Sequence, residues 1–215
     1  MKHELTFSFK ARYFTLGDRD TAREIWFALH GYGQLAEHFI KKFDVLKDHN
    51  VYVVAPEGLS RFYMEDLNKR LTSGNMRVGA TWMTREERLT DIENYVNLLN
   101  TIYLQEVRDN LPVTVLGFSQ GAATASRWIT HHALNFHRLI LWGGVFPPDL
   151  DLSPARDVLN NKDVVLVSGK DDPFMKEERY SEMTGLCDKI GIQPRVMEYD
   201  GGHDIDRSTL VRLVS

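Results

Sequence analysis

Short apolar runs recur along this chain of 215 residues, and segments with helical spacing separate them. A strand that is apolar at consecutive positions is covered on both faces, which is typical of a parallel sheet with helices on either side. We therefore predict an α/β fold whose central sheet is mostly parallel and lies between two helical layers. The predicted strands are Ile25–Leu29, Val51–Ala55, Val113–Leu116, Leu139–Trp142, Val164–Val167 and Arg195–Tyr199.

The segments between the strands carry apolar residues at spacings of three and four, the period of a helix with one buried face. One helix is predicted from Leu35 to Lys47. Thr84 and Glu87 have the spacing of a capping box, in which each side chain satisfies a free amide, so another helix is predicted to begin there. Further helices are predicted at about 120–133, 176–190 and 205–213.

Two segments differ from this alternation. Residues 4–13 alternate apolar and polar side chains, which predicts an antiparallel strand at an edge of the sheet with one face in solvent. Residues 56–83 show no sustained period. We predict that they form a long excursion over the sheet, and long loops of this kind usually serve function.

Length and composition favour one globular domain over residues 1–215, with a core that needs no disulfide. The 26 basic and 30 acidic residues are mixed along the chain and leave a formal net charge of −4, which argues against a nucleic-acid partner. No apolar run approaches the roughly 20 residues that cross a bilayer, and residues 1–10 lack the apolar stretch of a secretory signal. The single cysteine, Cys187, fits a reducing compartment, so we expect a cytoplasmic protein. Its oligomeric state is left open.

The strand Val113–Leu116 runs directly into Gly117-Phe118-Ser119-Gln120-Gly121, a G-x-S-x-G sequence. A serine nucleophile needs a tight turn between strand and helix, so that its hydroxyl stands clear of the backbone. The two glycines remove side chains that would collide as strand and helix approach each other. This context predicts that Ser119 is a catalytic nucleophile.

A serine nucleophile needs a base, and histidine titrates near neutrality. In a parallel sheet the site lies beyond the carboxyl ends of the strands. His203 follows the last predicted strand in a glycine-rich loop, whereas His131 and His132 lie far along a helix and His137 precedes a strand. We therefore predict His203 as the base.

The acid is also expected after a strand. The strand at 164–167 leads into a loop with two adjacent carboxylates, Asp171 and Asp172. We favour Asp172, because Pro173 restrains the chain directly after it, and keep Asp171 as an alternative. Two carboxylates of the loop after Leu139–Trp142 also remain open: Asp149 and Asp151. The order Ser, Asp, His along the chain is that of the α/β-hydrolase fold.

Acyl transfer creates a negative oxygen that preplaced donors must stabilise. One donor is expected to be the backbone N–H of Gln120, and the other an N–H of the loop after an early strand. That loop is His30-Gly31-Tyr32-Gly33, and the Tyr32 N–H is the predicted second donor. His30 is expected to brace the loop. No metal or cofactor is expected.

These elements resemble the phospholipase/carboxylesterase family, which includes the acyl-protein thioesterases. The resemblance runs from about residue 24 to the end and rests on L-H-G at 29–31, G-F-S-Q-G at 117–121, G-x-x-D-P at 169–173 and G-H at 202–203. It implies an α/β-hydrolase that cleaves esters or thioesters without a cofactor. It also implies the triad Ser119, Asp172 and His203.

A small ester or thioester with an uncharged acyl group is the predicted substrate. The side chains expected to line its site are apolar, and they follow strand ends or lie in the 56–83 segment: Tyr32, Trp82, Phe146, Phe174 and Met175. Two other interpretations remain open. One is a non-catalytic ligand-binding protein on the same fold, and the other is a peptidase or lactone hydrolase.

Overall fold

In the computed structural model of this chain, residues 1–74, 76–108, 111–132 and 134–214 are described. The strands are β1 (Tyr13–Leu16), β2 (Glu24–Leu29), β3 (Val51–Pro56), β4 (Ser60–Tyr63), β5 (Val78–Thr81), β6 (Val113–Phe118), β7 (Arg138–Trp142), β8 (Asp163–Gly169) and β9 (Arg195–Tyr199). The helices are α1 (Ala36–Phe39), which continues as a 3₁₀ helix over Ile40–His49, then α2 (Leu67–Ser73), α3 (Arg88–Glu106), α4 (Gln120–His131), α5 (Leu152–Leu159), α6 (Glu177–Ile190) and α7 (Arg207–Val214).

The central sheet has the order β1-β3-β2-β6-β7-β8-β9. Strand β1 is antiparallel to β3, and the other neighbours are parallel. The predicted α/β fold, with a mostly parallel sheet and an antiparallel edge strand near the N-terminus, is confirmed. The chain moves to one side of the sheet after β2 and to the other side after β6. Loops that leave these two strands therefore diverge and open a crevice at their carboxyl ends.

Both faces of the sheet are buried at its central strands, β2, β3, β6, β7 and β8, as the continuous apolar runs predict. Edge strand β9 is mostly exposed. Ile25, Phe27 and Leu29 of β2 belong to one core cluster, which also contains residues of α3 and α4. Trp26 and Ala28 belong to a second cluster, which includes residues of the 3₁₀ helix and α7. Successive side chains of a strand point to opposite faces, so the two clusters are the two faces of one sheet.

The strand predicted over residues 4–13 is wrong for most of its length. Strand β1 starts only at Tyr13, and residues 1–12 have no regular secondary structure. Tyr13 pairs with Pro56, the last residue of β3. The residues before Tyr13 therefore extend past the end of the strand that would have paired with them. The apolar side chains of Leu5 and Phe7 are exposed.

The capping box at Thr84 and Glu87 is also wrong. Helix α3 begins at Arg88, and its N-cap residue Glu87 has φ 47° with no side-chain hydrogen bond to the helix. The Thr84 N–H instead donates to Asp91 Oδ2 at 3.1 Å. The backbone makes a further turn between Thr84 and the start of α3. The side chains of Thr84 and Glu87 therefore do not reach the backbone amides that a capping box would satisfy.

The 56–83 segment is more regular than its sequence indicates. It contains an antiparallel pair, β4 and β5, with α2 between them. Helix α5 was not predicted either, and the helix predicted from Leu35 to Lys47 is one α-helical turn followed by a 3₁₀ helix. No helix in the described part of the chain is both long and apolar enough to cross a membrane.

Candidate active site

Ser119 stands alone on the turn between β6, which ends at Phe118, and α4, which begins at Gln120. Its φ is 54°, and a sparsely populated backbone conformation of this kind costs about 1–3 kcal/mol. The Ser119 N–H donates to the Trp142 carbonyl at 2.9 Å, which ties the turn to β7. The G-x-S-x-G sequence requires a serine with a strained backbone conformation at the end of a strand, as Ser119 has here.

The glycines of this turn are required by close backbone contacts. A Cβ added to Gly121 would lie 2.2 Å from the Leu29 carbonyl oxygen, and one added to Gly117 would lie 2.2 Å from the Gly121 oxygen. On the opposite side, a Cβ at Gly31 would lie 3.2 Å from Ser119 Cβ. The loop after β2 therefore runs directly beside Ser119.

Asp172 and His203, which lie on different loops, meet at this edge. His203 Nδ1 lies 2.7 Å from Asp172 Oδ2, and the other oxygen, Oδ1, accepts the Phe174 N–H at 2.9 Å. The Asp172 side chain is fully buried, whereas that of His203 is 19% exposed. An ionised carboxylate only accepts, so Nδ1 carries a proton and Nε2 is left as an acceptor. Among the described residues, His203 Nε2 has no hydrogen-bond partner.

The loop after β7 joins this pair to Ser119. A Cβ at Gly143 would lie 3.0 Å from His203 Nδ1, and one at Gly144 would lie 3.3 Å from Ser119 Cα. The Phe118 ring, next to Ser119 in sequence, lies 4.7 Å from the His203 ring between centroids. The side chains predicted as nucleophile, acid and base are thus gathered around the Gly143–Gly144 backbone.

The other candidate acids lie in different surroundings. The Asp171 side chain is exposed, and the structure places Asp172, not Asp171, against the histidine. Asp149 accepts a hydrogen bond from buried Arg127 at 2.7 Å. Asp151 caps the start of α5. Geometry therefore leaves Asp172 as the carboxylate partner of His203.

Two backbone amides beside Ser119 are free to donate. Among the described residues, neither the Tyr32 N–H nor the Gln120 N–H has a hydrogen-bond partner. The Gly33 N–H, by contrast, donates to the Ala80 carbonyl at 2.8 Å. Free donors at a strand end can meet a negative oxygen as it forms.

The Gln120 side chain makes structural contacts that were not predicted from the sequence. Its Oε1 accepts from Thr81 Oγ1 at 3.0 Å and from the Trp82 N–H at 3.2 Å. Its Nε2 donates to the Met83 carbonyl at 3.0 Å. The start of α4 is thereby joined to the end of the 56–83 segment. A lone amide side chain beside the small residues of α4 was the available signal.

His30 lies buried beneath the loop after β2, with none of its surface exposed. Its Nδ1 is 2.7 Å from the Gly31 carbonyl oxygen, and its Nε2 is 3.0 Å from the Gly58 nitrogen. Its ring stacks on Trp82, with centroids 4.9 Å apart. Burial lowers the pKa of His30 to about 4, so its ring is neutral at physiological pH.

The apolar residues expected to line the site divide into two groups. Tyr32 and Phe174 are 59% and 63% exposed, and Met175 is half-buried. The Phe174 ring lies 4.7 Å from that of His203. Trp82 and Phe146 are instead core residues, 2% and 1% exposed, so the expectation that they line the site is corrected. Each is turned inward by its packing and offers almost no surface to a ligand.

The β4–β5 pair also contributes to this region. Gln34 pairs with Ala80 of β5 as an isolated bridge, and the Phe62 ring lies 5.1 Å from that of Tyr32. A Cβ at Gly33 would lie 2.9 Å from Met64 Cε. The 56–83 segment therefore supports the loop after β2 and extends its apolar surface. Four-residue strands are too short to show a clear period, which is why they were missed.

In the part of the chain that the structure describes, neither Cys187 nor a cluster of metal-ligating side chains forms a second site. Cys187 is buried on α6, and burial raises the pKa of its thiol to about 11. Within the described ranges, no group of three or more His, Cys, Asp or Glu side chains is placed to hold a metal ion.

Most of this chain is similar to a known protein family. The family described as "Serine hydrolase (FSH1)" matches residues 24–211. No curated protein matches the sequence. Among solved structures, the chain is similar to acyl-protein thioesterase 2 of Zea mays, with a TM-score of 0.72, 17% identity, and 95% and 96% of the two chains covered.

Two further structures are similar over nearly the whole chain. Esterase PE8 has a TM-score of 0.68 at 19% identity, with 96% of this chain and 97% of that chain covered. The Bacillus cereus carboxylesterase has a TM-score of 0.65 at 16% identity, with 95% and 92% covered. At these identities the structures establish a shared α/β-hydrolase fold. The match to the serine hydrolase family spans the whole site.

Proposed function

The chain belongs to the serine hydrolase (FSH1) family, and on that premise we propose that it cleaves carboxylic ester or thioester bonds through an acyl-enzyme on Ser119. His203 Nε2 takes the hydroxyl proton as Ser119 attacks the carbonyl carbon, and returns it to the leaving alcohol or thiol. Water then attacks the acyl-enzyme by the same route and releases the acid. Asp172 holds the imidazole in the required tautomer and stabilises the imidazolium.

One observation carries this proposal. The hydrogen bond of 2.7 Å between His203 Nδ1 and Asp172 Oδ2 lies at the sheet edge where Ser119 is held on a strained turn. A buried carboxylate whose second oxygen accepts a backbone amide is oriented toward a single ring nitrogen. A ligand-binding protein has no need of this arrangement, whereas acyl transfer requires it.

The Tyr32 and Gln120 amides are the proposed oxyanion hole. Their freedom from other partners supports this role, as does the approach of Gly31 to Ser119. Preplaced backbone donors need no reorganisation as negative charge develops, and one such donor contributes about 10²–10³ in rate.

The proposed substrates are esters or thioesters with uncharged short-to-medium acyl groups, within the carboxylesterase class. The exposed rings of Tyr32 and Phe174 flank the site, with Met175 beside them. These side chains can cover an acyl chain, and none of them carries a charge that would hold an anionic one. We also keep the cytoplasm as the proposed compartment, on the grounds of the single cysteine.

A fluorophosphonate probe tests the assignment of Ser119, because it reacts with activated serines. We expect labelling of the wild-type chain at Ser119, with none in Ser119→Ala. Ser126, a buried serine on the helix that follows Ser119, supplies the matched control Ser126→Ala, which should label normally. Labelling that persists in folded Ser119→Ala would overturn the proposal.

A panel of p-nitrophenyl esters, matched thioesters, lactones and peptide amides then distinguishes the remaining interpretations. Turnover of esters or thioesters above the other classes supports the proposal. A labelled protein that turns over only lactones or amides is a different hydrolase. An unlabelled protein without turnover is a binding protein.

A further inference from the structure

The peptide unit between Gly31 and Tyr32 is held from one side by a buried histidine. His30 Nδ1 lies 2.7 Å from the Gly31 carbonyl oxygen, which belongs to this unit. The same oxygen accepts a longer hydrogen bond, of 3.3 Å, from the Gln34 N–H within the loop. The N–H of the same unit is that of Tyr32, and it has no partner among the described residues. One end of the peptide group is therefore anchored by a buried side chain, while the other end has no partner among the described residues.

The proton on the His30 ring is determined by its neighbours. A backbone N–H only donates, so the Gly58 N–H, 3.0 Å from Nε2, requires Nε2 to be the acceptor. A neutral ring then carries its proton on Nδ1 and donates it to the Gly31 carbonyl. Glu57, the buried neighbour of Gly58, is itself engaged by Arg12 at 2.7 Å and by the Ala36 N–H at 3.1 Å.

The geometry of the peptide group determines the direction of the Tyr32 N–H. A trans peptide is planar, and its C=O and N–H point in opposite directions. Fixing the Gly31 carbonyl toward His30 therefore fixes the Tyr32 N–H away from it. The neighbouring amides have other partners, since the Gly31 N–H donates to Gln34 Oε1 at 2.8 Å and the Gly33 N–H to the Ala80 carbonyl. The Tyr32 N–H is the donor of this loop that remains for a ligand.

We infer that His30 is a positioning residue, whose neutral Nδ1–H tautomer orients and polarises the Gly31–Tyr32 peptide so that the Tyr32 N–H donates to the oxyanion. The inference rests on the proposed function, in which that N–H belongs to the oxyanion hole. A hydrogen bond accepted by a carbonyl withdraws electron density from its own peptide group, which strengthens the N–H as a donor. His30 itself touches neither the substrate nor Ser119 in this role.

The tautomer can be tested in the unmodified protein. With ¹⁵N-labelled histidine, NMR is expected to show His30 with a protonated Nδ1 and an unprotonated Nε2 throughout the neutral pH range. Loss of this signal in His30→Asn assigns it. A proton on Nε2, or a cationic ring at neutral pH, would overturn the inference whatever the variants do.

Two substitutions separate the two ring nitrogens. The amide of His30→Asn can reach the position of Nδ1 and donate to the Gly31 carbonyl. The longer His30→Gln reaches the position of Nε2, where it can accept the Gly58 N–H but leaves the Gly31 carbonyl with the Gln34 N–H, 3.3 Å away, as its one remaining donor. We expect kcat on a p-nitrophenyl ester to fall roughly 10- to 100-fold in His30→Gln and less than about fivefold in His30→Asn, since one oxyanion donor is worth about 10²–10³. KM should change little in either variant.

If His30 only supports the loop, we expect another pattern. The activity of each variant would then follow its melting temperature, and the variant that keeps the Gly58 contact would be the more active one. His30→Gln with kcat equal to or above that of His30→Asn would therefore overturn the inference, and so would a loss confined to KM. Failure of the proposed function is recognised separately. In that case wild-type protein shows no fluorophosphonate labelling of Ser119, whatever the tautomer of His30.

Discussion

The loops after β2 and β9 each bring a histidine to the same edge of the sheet, in contrasting surroundings. His30 is fully buried, and both of its ring nitrogens contact backbone groups. The side chain of His203 is 19% exposed, with one nitrogen on the Asp172 carboxylate and the other without a partner in the described ranges. Neutral partners and burial hold a ring neutral, whereas a carboxylate partner stabilises the cation that forms when the ring accepts a proton. Both histidines follow a strand end, so this position alone does not distinguish a catalytic base from a residue that supports a loop.

The largest expected effect is the loss of His203. His203→Ala should lower kcat/KM by about 10⁴–10⁶, because no other group then takes the Ser119 proton. The variant should remain folded but with a lower melting temperature, because the buried Asp172 carboxylate loses its partner. Ester hydrolysis and thermal unfolding monitored by circular dichroism measure the two quantities. Folded His203→Ala with more than a few per cent of wild-type activity would contradict the contrast between the two rings.

The carboxylate that distinguishes His203 from His30 can be tested directly. Asp172→Asn should lower kcat by about 10⁴, because an amide does not stabilise the imidazolium and favours the wrong tautomer. Asp171→Asn is the matched control, one residue away and exposed, and should stay within a few fold of wild type. The assignment of the acid is wrong if the two variants exchange their severity in steady-state assays.

Burial of His30 should appear in the pH dependence of stability. Its pKa is about 4 in the folded chain and about 6.5 when unfolded. Between these pH values only the unfolded chain binds the proton, so the free energy of unfolding decreases as pH falls from about 6.5 to about 4. The decrease amounts to about 3 kcal/mol in total, with no contribution above that window.

Urea unfolding of wild type and His30→Asn across pH 4 to 7.5 measures this contribution as a difference in slope. The wild-type curve should be steeper. Parallel curves would show that the His30 ring is not held neutral by the fold.

The smallest expected effect concerns the apolar rings on the two sides of the crevice. If Tyr32 and Phe174 cover the acyl chain, each added CH₂ contributes up to about 0.8 kcal/mol, or about fourfold in kcat/KM, until the covered length is filled. The double variant Tyr32→Ala/Phe174→Ala should flatten this rise, whereas Val196→Ala, exposed on edge strand β9, should not. A flat profile from C2 to C6 in the wild type, or a preference for dicarboxylic half-esters, would contradict the apolar lining.

Much of the site could be predicted because it depends on short-range chemistry. A buried strand followed by G-x-S-x-G admits few backbone geometries, and His203 follows a strand end that a parallel sheet brings to the same edge. The resemblance to a known family covered the same residues. Trp82 and Phe146 were misjudged because a loop position does not reveal which way an aromatic side chain packs. Both are turned into the core.

The sequence by itself determined the α/β class, the central strands buried on both faces, and the candidate nucleophile and base, since each depends on local spacing and on which end of a strand a residue follows. Only the tertiary structure decided which carboxylate meets His203, how far the first strand runs, and that β5 pairs with the loop after β2. These features join residues far apart in the chain. Strand β1 starts where it does because Pro56, about forty positions away, ends the strand it pairs with. The direction of the Tyr32 N–H likewise depends on His30 and on Gly58, which contact each other only after β3 has been placed beside β2.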